Sequence, residues 1–335
     1  MNPLKTRLKN LIRQSGPISV SMFMEMAIHH YYSTRDPFGA KGDFTTAPEI
    51  SQMFGEMVGV FLADAWIKMG RPAPVMLVEC GPGRGTLMAD ILRATRNVEG
   101  FHQAVRIHLI EISPALREKQ KQALRDYAVE WHDDLSGVPD GPMLFIANEF
   151  LDALPARQYQ IDEDGWHERF IGLDKNGDLI FGLGPVTAPL MEGGAPGNIF
   201  EQSPARESFI AGLAERVARN RGIALIIDYG HDRAGFADTL QAVSNHRYMD
   251  VLLSPGEADL TSHVDFSALK AVAEPHVVVH GPVGQGDFLK RLGIEIRAAR
   301  LNQPGELTRL TANDQMGNLF RVMVLCGDPA MEIVL

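Results

Sequence analysis

Only two cysteines, Cys80 and Cys326, occur in 335 residues. Two thiols cannot make the disulfide framework of a small secreted scaffold, and this usage fits a reducing compartment. No run of about 18 apolar residues occurs, which argues against a helical membrane span. Basic residues are in deficit: 32 Lys and Arg against 42 Asp and Glu give a formal net charge of −10. That balance disfavours general nucleic-acid binding and suits a basic protein substrate better. Internal repeats and low-complexity tracts are missing too. So is tight metal-ligand spacing such as H-E-x-x-H; His231, His263 and Asp265 are too loosely spaced, and no metal is expected. What the chain does have is 45% hydrophobic residues, enough to bury the core of one large domain or two modest ones.

The basic N-terminal residues Lys5, Arg7, Lys9 and Arg13 are compatible with an organellar presequence. However, Leu4, Leu8, Leu11 and Ile12 share one helical face, and Ser15-Gly16-Pro17 stops the pattern, so a docked first helix is expected. Residues 1–74 are expected to form an N-terminal helical cap, with an amphipathic stretch at Ile18–Ile28 and a helix opened by Thr46-Ala47-Pro48-Glu49 that reaches about Met69. From Val75 the chain alternates strands (75–79, 105–111, 127–131, 142–147, 222–228) with helices (85–96, 114–125). This rhythm predicts an α/β, doubly wound, mostly parallel sheet spanning 75–156 and 221–335. Residues 157–220 break the rhythm. Three short strand patterns there are separated by Asp164-Gly165 and Asn176-Gly177, turn dipeptides that predict an inserted antiparallel β subdomain followed by a helix at 204–220.

Chemistry concentrates where the strands end, as expected for ligands of doubly wound sheets. The first strand runs into Leu77-Val78-Glu79-Cys80-Gly81-Pro82-Gly83-Arg84-Gly85-Thr86. Thr86 stands where the dinucleotide fingerprint G-x-G-x-x-G needs its third glycine, which argues against NAD. The loop instead resembles the start of the S-adenosyl-L-methionine (SAM) site of class I, Rossmann-like methyltransferases. Backbone amides at Gly81, Gly83 and Gly85 would suit the ligand carboxylate, and Glu79 its ammonium. Glu111 ends the second strand and can accept both ribose hydroxyls. Asp133 or Asp134, after the third strand, can accept from the adenine amino group. Tyr31, Tyr32 and the segment Gly42–Thr46 are a candidate lid, with Thr46 on the cofactor side.

The fourth strand ends Asn148-Glu149-Phe150-Leu151-Asp152-Ala153-Leu154-Pro155. In this architecture that edge lies beside the transferable methyl group. Glu149 and Asp152, three apart, are the candidate catalytic acids: two carboxylates suit a guanidinium, which they can orient and relieve of a proton. Tyr229 and His231, after the fifth strand, are candidates for the substrate side.

Five segments in this order resemble the MidA-type family: Gly42-Asp43-Phe44-Thr45-Thr46-Ala47-Pro48-Glu49-Ile50-Ser51, the Glu79–Gly85 loop, Asn148–Pro155, Asp228-Tyr229-Gly230-His231, and Asp259-Leu260-Thr261-Ser262-His263-Val264-Asp265-Phe266. The resemblance spans nearly the whole chain. It implies a SAM-dependent protein arginine methyltransferase of complex I assembly, symmetrically dimethylating an arginine in the 49-kDa-type subunit of NADH:ubiquinone oxidoreductase. It carries glycine-loop positions onto Gly81, Gly83 and Gly85, and the ribose acid onto Glu111. Leu151 stands where the family often has a second Phe. The expected location is cytoplasmic in a bacterium and the mitochondrial matrix in a eukaryote. Alternatives are a non-catalytic SAM-binding assembly chaperone and a small-molecule methyltransferase.

Overall fold

Every residue of the strand Val75–Cys80 is buried, as an apolar run covered on both faces requires. In the computed structural model, which describes residues 2–34, 45–244 and 247–335, this strand lies inside a sheet whose order is Val278–Gly284, Phe320–Cys326, Ile223–His231, Met143–Asn148, Val75–Cys80, Val105–Ile110, Val129–His132. The last five run parallel. Phe320–Cys326 joins Ile223–His231 antiparallel, and Val278–Gly284 follows it antiparallel. The expected doubly wound α/β sheet is therefore observed. The chain builds outward from Val75–Cys80 through the second and third strands, then returns to its other side for the fourth and fifth. That reversal opens a crevice at the carboxyl ends of the first and fourth strands, where such folds bind ligands.

This sheet belongs to a compact unit of Thr45–Leu151, Phe209–Asp232 and Val264–Leu335. Its core joins Leu77, Leu144 and Leu225 of the strands to Phe54, Leu62 and Met88 of the helices. The stretch expected to be one helix from Thr46 to Met69 is two, Ala47–Ile50 and Gln52–Lys68. The break is at Ser51, whose backbone is extended (φ −161°, ψ 141°) and whose Oγ accepts from Met53 N at 3.2 Å, capping the second helix.

A second compact unit holds residues 1–44, Asp152–Ser208 and Arg233–His263. Its larger sheet has the order Ile18–Ser19, Gly165–Leu173, Arg157–Asp162, Ile199–Gln202, with Leu179–Thr187 also on Gly165–Leu173. All these pairings are antiparallel. A smaller sheet joins Arg247–Met249, Gln241–Ser244 and Asp259–Thr261. Helices Pro3–Ser15 and Val20–Thr34 pack here, burying Leu4, Leu8, Ile12 and Phe23.

These units divide the chain differently from the expected boundaries at 74/75, 156/157 and 220/221. Ile18 and Ser19 are a strand rather than helix. They pair with Ile171 and Phe170, which puts the N-terminal segment and the antiparallel strands in one unit. Residues 45–74 go instead with the parallel sheet, because Gln52–Lys68 packs closely on the helix Thr86–Ala94.

Gly55 makes that approach possible: a Cβ there would lie 2.5 Å from Asp90 Cβ. Gly55→Ala gains about 1 kcal/mol of helix propensity, but overpacking costs about 1–3 kcal/mol. The expected outcome is a lower urea midpoint; an unchanged or raised midpoint would show that the two helices separate freely.

Candidate active site

The first strand delivers Glu79 into the crevice almost fully buried, at 2% exposure. Burial pushes its carboxyl up to about 8, only partly opposed by the hydrogen bond from Met88 N–H. Glu79 Oε2 is buried with no hydrogen-bond partner among the described residues. The loop that follows turns through Gly81 (φ 68°), Gly83 (φ 52°) and Gly85 (φ 83°), a left-handed run that side chains resist. At Gly81 a Cβ would also meet the Phe150 ring at 3.0 Å. Thr86 then opens the helix Thr86–Ala94, and its Oγ1 donates to Glu49 Oε1 at 2.5 Å.

Glu111 ends the second strand, 8% exposed. Its Oε1 accepts from Ser113 N at 2.8 Å and its Oε2 from Gln120 Nε2 at 3.2 Å. Burial raises its carboxyl above the ordinary range, opposed by those hydrogen bonds. Gln120, fully buried, also donates to Gly83 O at 2.7 Å and accepts from Trp131 Nε1 at 2.9 Å. One amide thus ties the glycine loop, Glu111 and the third strand together. Sequence reasoning missed it. The available signal was a glutamine four residues after Leu116, on the buried face of the helix Pro114–Ala123.

The acids after the third strand have partners of their own. Asp133 is exposed and paired with Arg117, 2.7 Å from its guanidinium, while Arg117 Nε donates to Glu111 O. Asp134 caps the short turn Leu135–Gly137 by accepting from Ser136 N at 2.7 Å.

The fourth strand places Asn148 and Glu149 beside the glycine loop, with Cys80 and Ala147 in register. Glu149 has φ 51°, a backbone conformation uncommon for any residue but glycine and often met at functional sites. Its N–H donates to Ile227 O at 2.9 Å. Its Oε1 accepts from Ala47 N (2.9 Å) and Asn148 Nδ2 (3.2 Å). Asn148 Oδ1 is buried without a hydrogen-bond partner among the described residues. The segment that begins at Thr46 therefore reaches both ends of the crevice, Glu149 through Ala47 N and the glycine loop through Glu49. Thr46 itself is the N-cap residue of Ala47–Ile50, with no side-chain cap hydrogen bond.

Asp228, on the fifth strand and 1% exposed, supports this turn. Its Oδ2 accepts from Phe150 N and Leu151 N, and its Oδ1 from Tyr229 N. Sequence reasoning looked past it to Tyr229 and His231. Tyr229 packs on Phe320, ring centroids 5.7 Å apart, and His231 Nδ1 lies 3.8 Å from Asp265 Oδ1.

Asp152 opens the other compact unit, 6% exposed. Its carbonyl accepts from Ser262 N (3.2 Å) and the Arg206 guanidinium (2.9 Å). Tyr32 donates to Asp259 Oδ1 at 3.1 Å; burial, then Asp259 and Asp152, hold its phenol well above the ordinary range. Tyr31 is fully buried with its ring edge-on to Tyr32, so this part of the expected lid is core packing. Gly42, Asp43 and Phe44, the rest of that lid, lie outside the described residues.

Comparison with known proteins finds matches along most of the chain. The model of a family of S-adenosyl-L-methionine-dependent methyltransferases matches residues 57–283. The chain is 38% identical over 340 residues to protein arginine methyltransferase NDUFAF7, mitochondrial, of Mus musculus, covering 91% of this chain and 78% of that protein. The protein of that name from Homo sapiens is 36% identical over 332 residues, with coverages of 88% and 75%. Among solved structures, a COG1565 superfamily member from Burkholderia thailandensis bound to S-adenosyl-homocysteine is 26% identical. Its TM-score is 0.85, and the match covers 98% of this chain and 93% of that one.

The buried Glu79 makes stability depend on pH. An unfolded glutamate loses its proton near about 4.3, whereas Glu79 in the folded chain keeps it up to about 8. Between those values the folded state binds the extra proton, so this residue's contribution to stability falls as pH rises. Urea unfolding across that window should show a decline that Glu79→Gln flattens; parallel curves for the two proteins would refute it.

Proposed function

The chain belongs to the S-adenosyl-L-methionine-dependent methyltransferase family, and from that premise we propose that it methylates an arginine side chain of a protein. Its cofactor is SAM. The crevice fits that group: Glu79 Oε2 and Asn148 Oδ1 are buried acceptors lacking partners among the described residues, and the ligand brings an ammonium and hydroxyls. In our assignment Glu79 faces the ammonium, and the backbone of Gly81, Gly83 and Gly85 faces the carboxylate. Glu111, held by Ser113 and Gln120, takes the ribose, and Thr46 and Asn148 border the reacting end. Asp133, paired with Arg117 through Oδ1, would offer its other oxygen to the adenine amino group. When bound, the cofactor supplies a methyl group made electrophilic by its sulfonium.

The observation that carries the substrate class is Glu149: a carboxylate on a strained turn at the switch point, its Oε1 fixed by Ala47 N and Asn148. A fixed carboxylate orients a guanidinium through charge-assisted hydrogen bonds. As the terminal nitrogen gains the methyl carbon and the carbon–sulfur bond breaks, that nitrogen must lose a proton, which Glu149 accepts directly or passes to water. Asp152 assists. The name shared by the mouse and human relatives, protein arginine methyltransferase, supports the acceptor.

The finer substrate rests on the MidA-type resemblance: an arginine of the 49-kDa-type subunit of NADH:ubiquinone oxidoreductase, symmetrically dimethylated, in support of complex I assembly. In a eukaryotic cell the site of action would be mitochondrial, as those relatives' names state for them. In a bacterium it would be the cytoplasm.

Glu149→Gln should lower methyl transfer by about a hundredfold or more while calorimetry finds SAM bound nearly as before. Asp152→Asn should cost less. Full transfer by Glu149→Gln would remove the assigned role. Mass spectrometry of the 49-kDa-type subunit from cells with and without the protein should show one dimethylarginine lost; an unchanged pattern would remove the substrate.

A further inference from the structure

Two histidines and a glutamate meet on the far edge of the parallel sheet, outside the chemistry above. His108 lies on the second strand, and Glu130 and His132 lie two apart on the third, so both third-strand side chains share one face. The parallel register sets His108 beside Glu130 and Ile110 beside His132, which brings all three polar side chains to that face. His108 Nδ1 is 3.0 Å from His132 Nε2 and 3.9 Å from Glu130 Oε2. All three donor atoms lie within 4.8 Å of one another.

We propose that His108, His132 and Glu130 bind a divalent transition-metal ion, zinc by preference. Two nitrogens on one tetrahedral zinc, each bonded at about 2.0–2.1 Å, stand roughly 3.3 Å apart. The imidazoles are already at nearly that spacing. His108 is 1% exposed and its other ring nitrogen, Nε2, is buried with no hydrogen-bond partner among the described residues. Its ring is therefore directed toward His132 and Glu130 through Nδ1 alone. The Glu130 side chain is 68% exposed and needs only a rotation to close the set. Three protein ligands leave a fourth position for water. Two imidazoles and one carboxylate suit zinc or cobalt(II) rather than the all-oxygen preference of magnesium or calcium.

The local pattern hides this set, because Glu130-x-His132 becomes a ligand pair only when the neighbouring strand adds His108. The site also adjoins the cofactor crevice through the backbone, since Glu111 N–H donates to His132 O at 3.0 Å.

The test uses the full chain after chelator treatment, titrated with cobalt(II) and followed by visible absorption, with zinc then displacing cobalt. One tetrahedral cobalt per chain is expected. Glu130→Gln and His132→Gln, both away from the core, should each weaken binding by about tenfold or more. His276→Gln, a half-exposed histidine on another surface, should leave it unchanged. No saturable cobalt signal, or a signal insensitive to Glu130→Gln and His132→Gln, would overturn the proposal. Because the readout is metal binding, its failure would leave the methyl-transfer reading intact.

Discussion

The turn at Glu149–Leu151 keeps its shape because Asp228 takes hydrogen bonds from Phe150 N at 3.2 Å and Leu151 N at 2.8 Å. Without that carboxylate, two backbone donors would be left in a buried place. Holding Glu149 at φ 51° costs about 1–3 kcal/mol. A typical hydrogen bond contributes about 0.5–1.5 kcal/mol net, so the two that Asp228 accepts are comparable in size with the strain. The shape of the turn and the placement of Phe150 beside Gly81 are supported by this one buried acid, while Ala47 N and Asn148 anchor the Glu149 carboxylate. Phe150 in turn adds a close contact, 3.0 Å to a Cβ, to the positive φ that already favours glycine at Gly81.

Gln120 has the corresponding position on the cofactor side. Its amide satisfies Gly83 O, Glu111 Oε2 and Trp131 Nε1 at once, and a buried network in which every member is paired is rigid. Asp228 and Gln120 thus hold the two lips of the crevice, one through backbone amides after the fourth strand, the other through the glycine loop. Neither is among the residues assigned to touch a substrate or cofactor. The assigned residues would lose their geometry without them.

Much of the sheet was legible because apolar runs bounded by glycine and acid have a simple physical reading: Leu77–Gly85 as strand, turn and helix start, Phe145–Glu149 as strand and edge. The pairings that depend on distant chain were not. Ile18-Ser19 looks helical in isolation and becomes a strand because Ile171 and Phe170 offer an open partner. Ser51 breaks a helix whose local pattern runs straight through it, since its hydroxyl caps the second half and also donates to Gln303, 2.7 Å away. Gln120 escaped notice and Asp228 was named without a role for the same reason: a polar residue on a buried face reveals its purpose only with its partners. At Asp133 the strand-end rule points to a ligand contact, and the sequence alone does not show that Arg117 also pairs with its carboxylate. Asp134 proved to be the cap of a turn.

Glu79 and Glu111 end neighbouring strands as buried acids, both held above the ordinary carboxylate range, and together with burial they push the Cys80 thiol up as well. Such a pair weakens the empty fold, because desolvated carboxylates must either stay protonated or remain charged without full compensation. A cationic ligand reverses the balance. An ammonium near Glu79 favours its ionised form, and hydroxyl donors at Glu111 add to the hydrogen bonds already there. The stability given up in the empty site therefore returns as affinity for a ligand that is both positively charged and rich in donors. SAM has both properties, and an arginine side chain meeting Glu149 has them too. The same electrostatic choice, acids at the strand ends of a chain with net charge −10, serves the cofactor at one lip of the crevice and the proposed acceptor at the other.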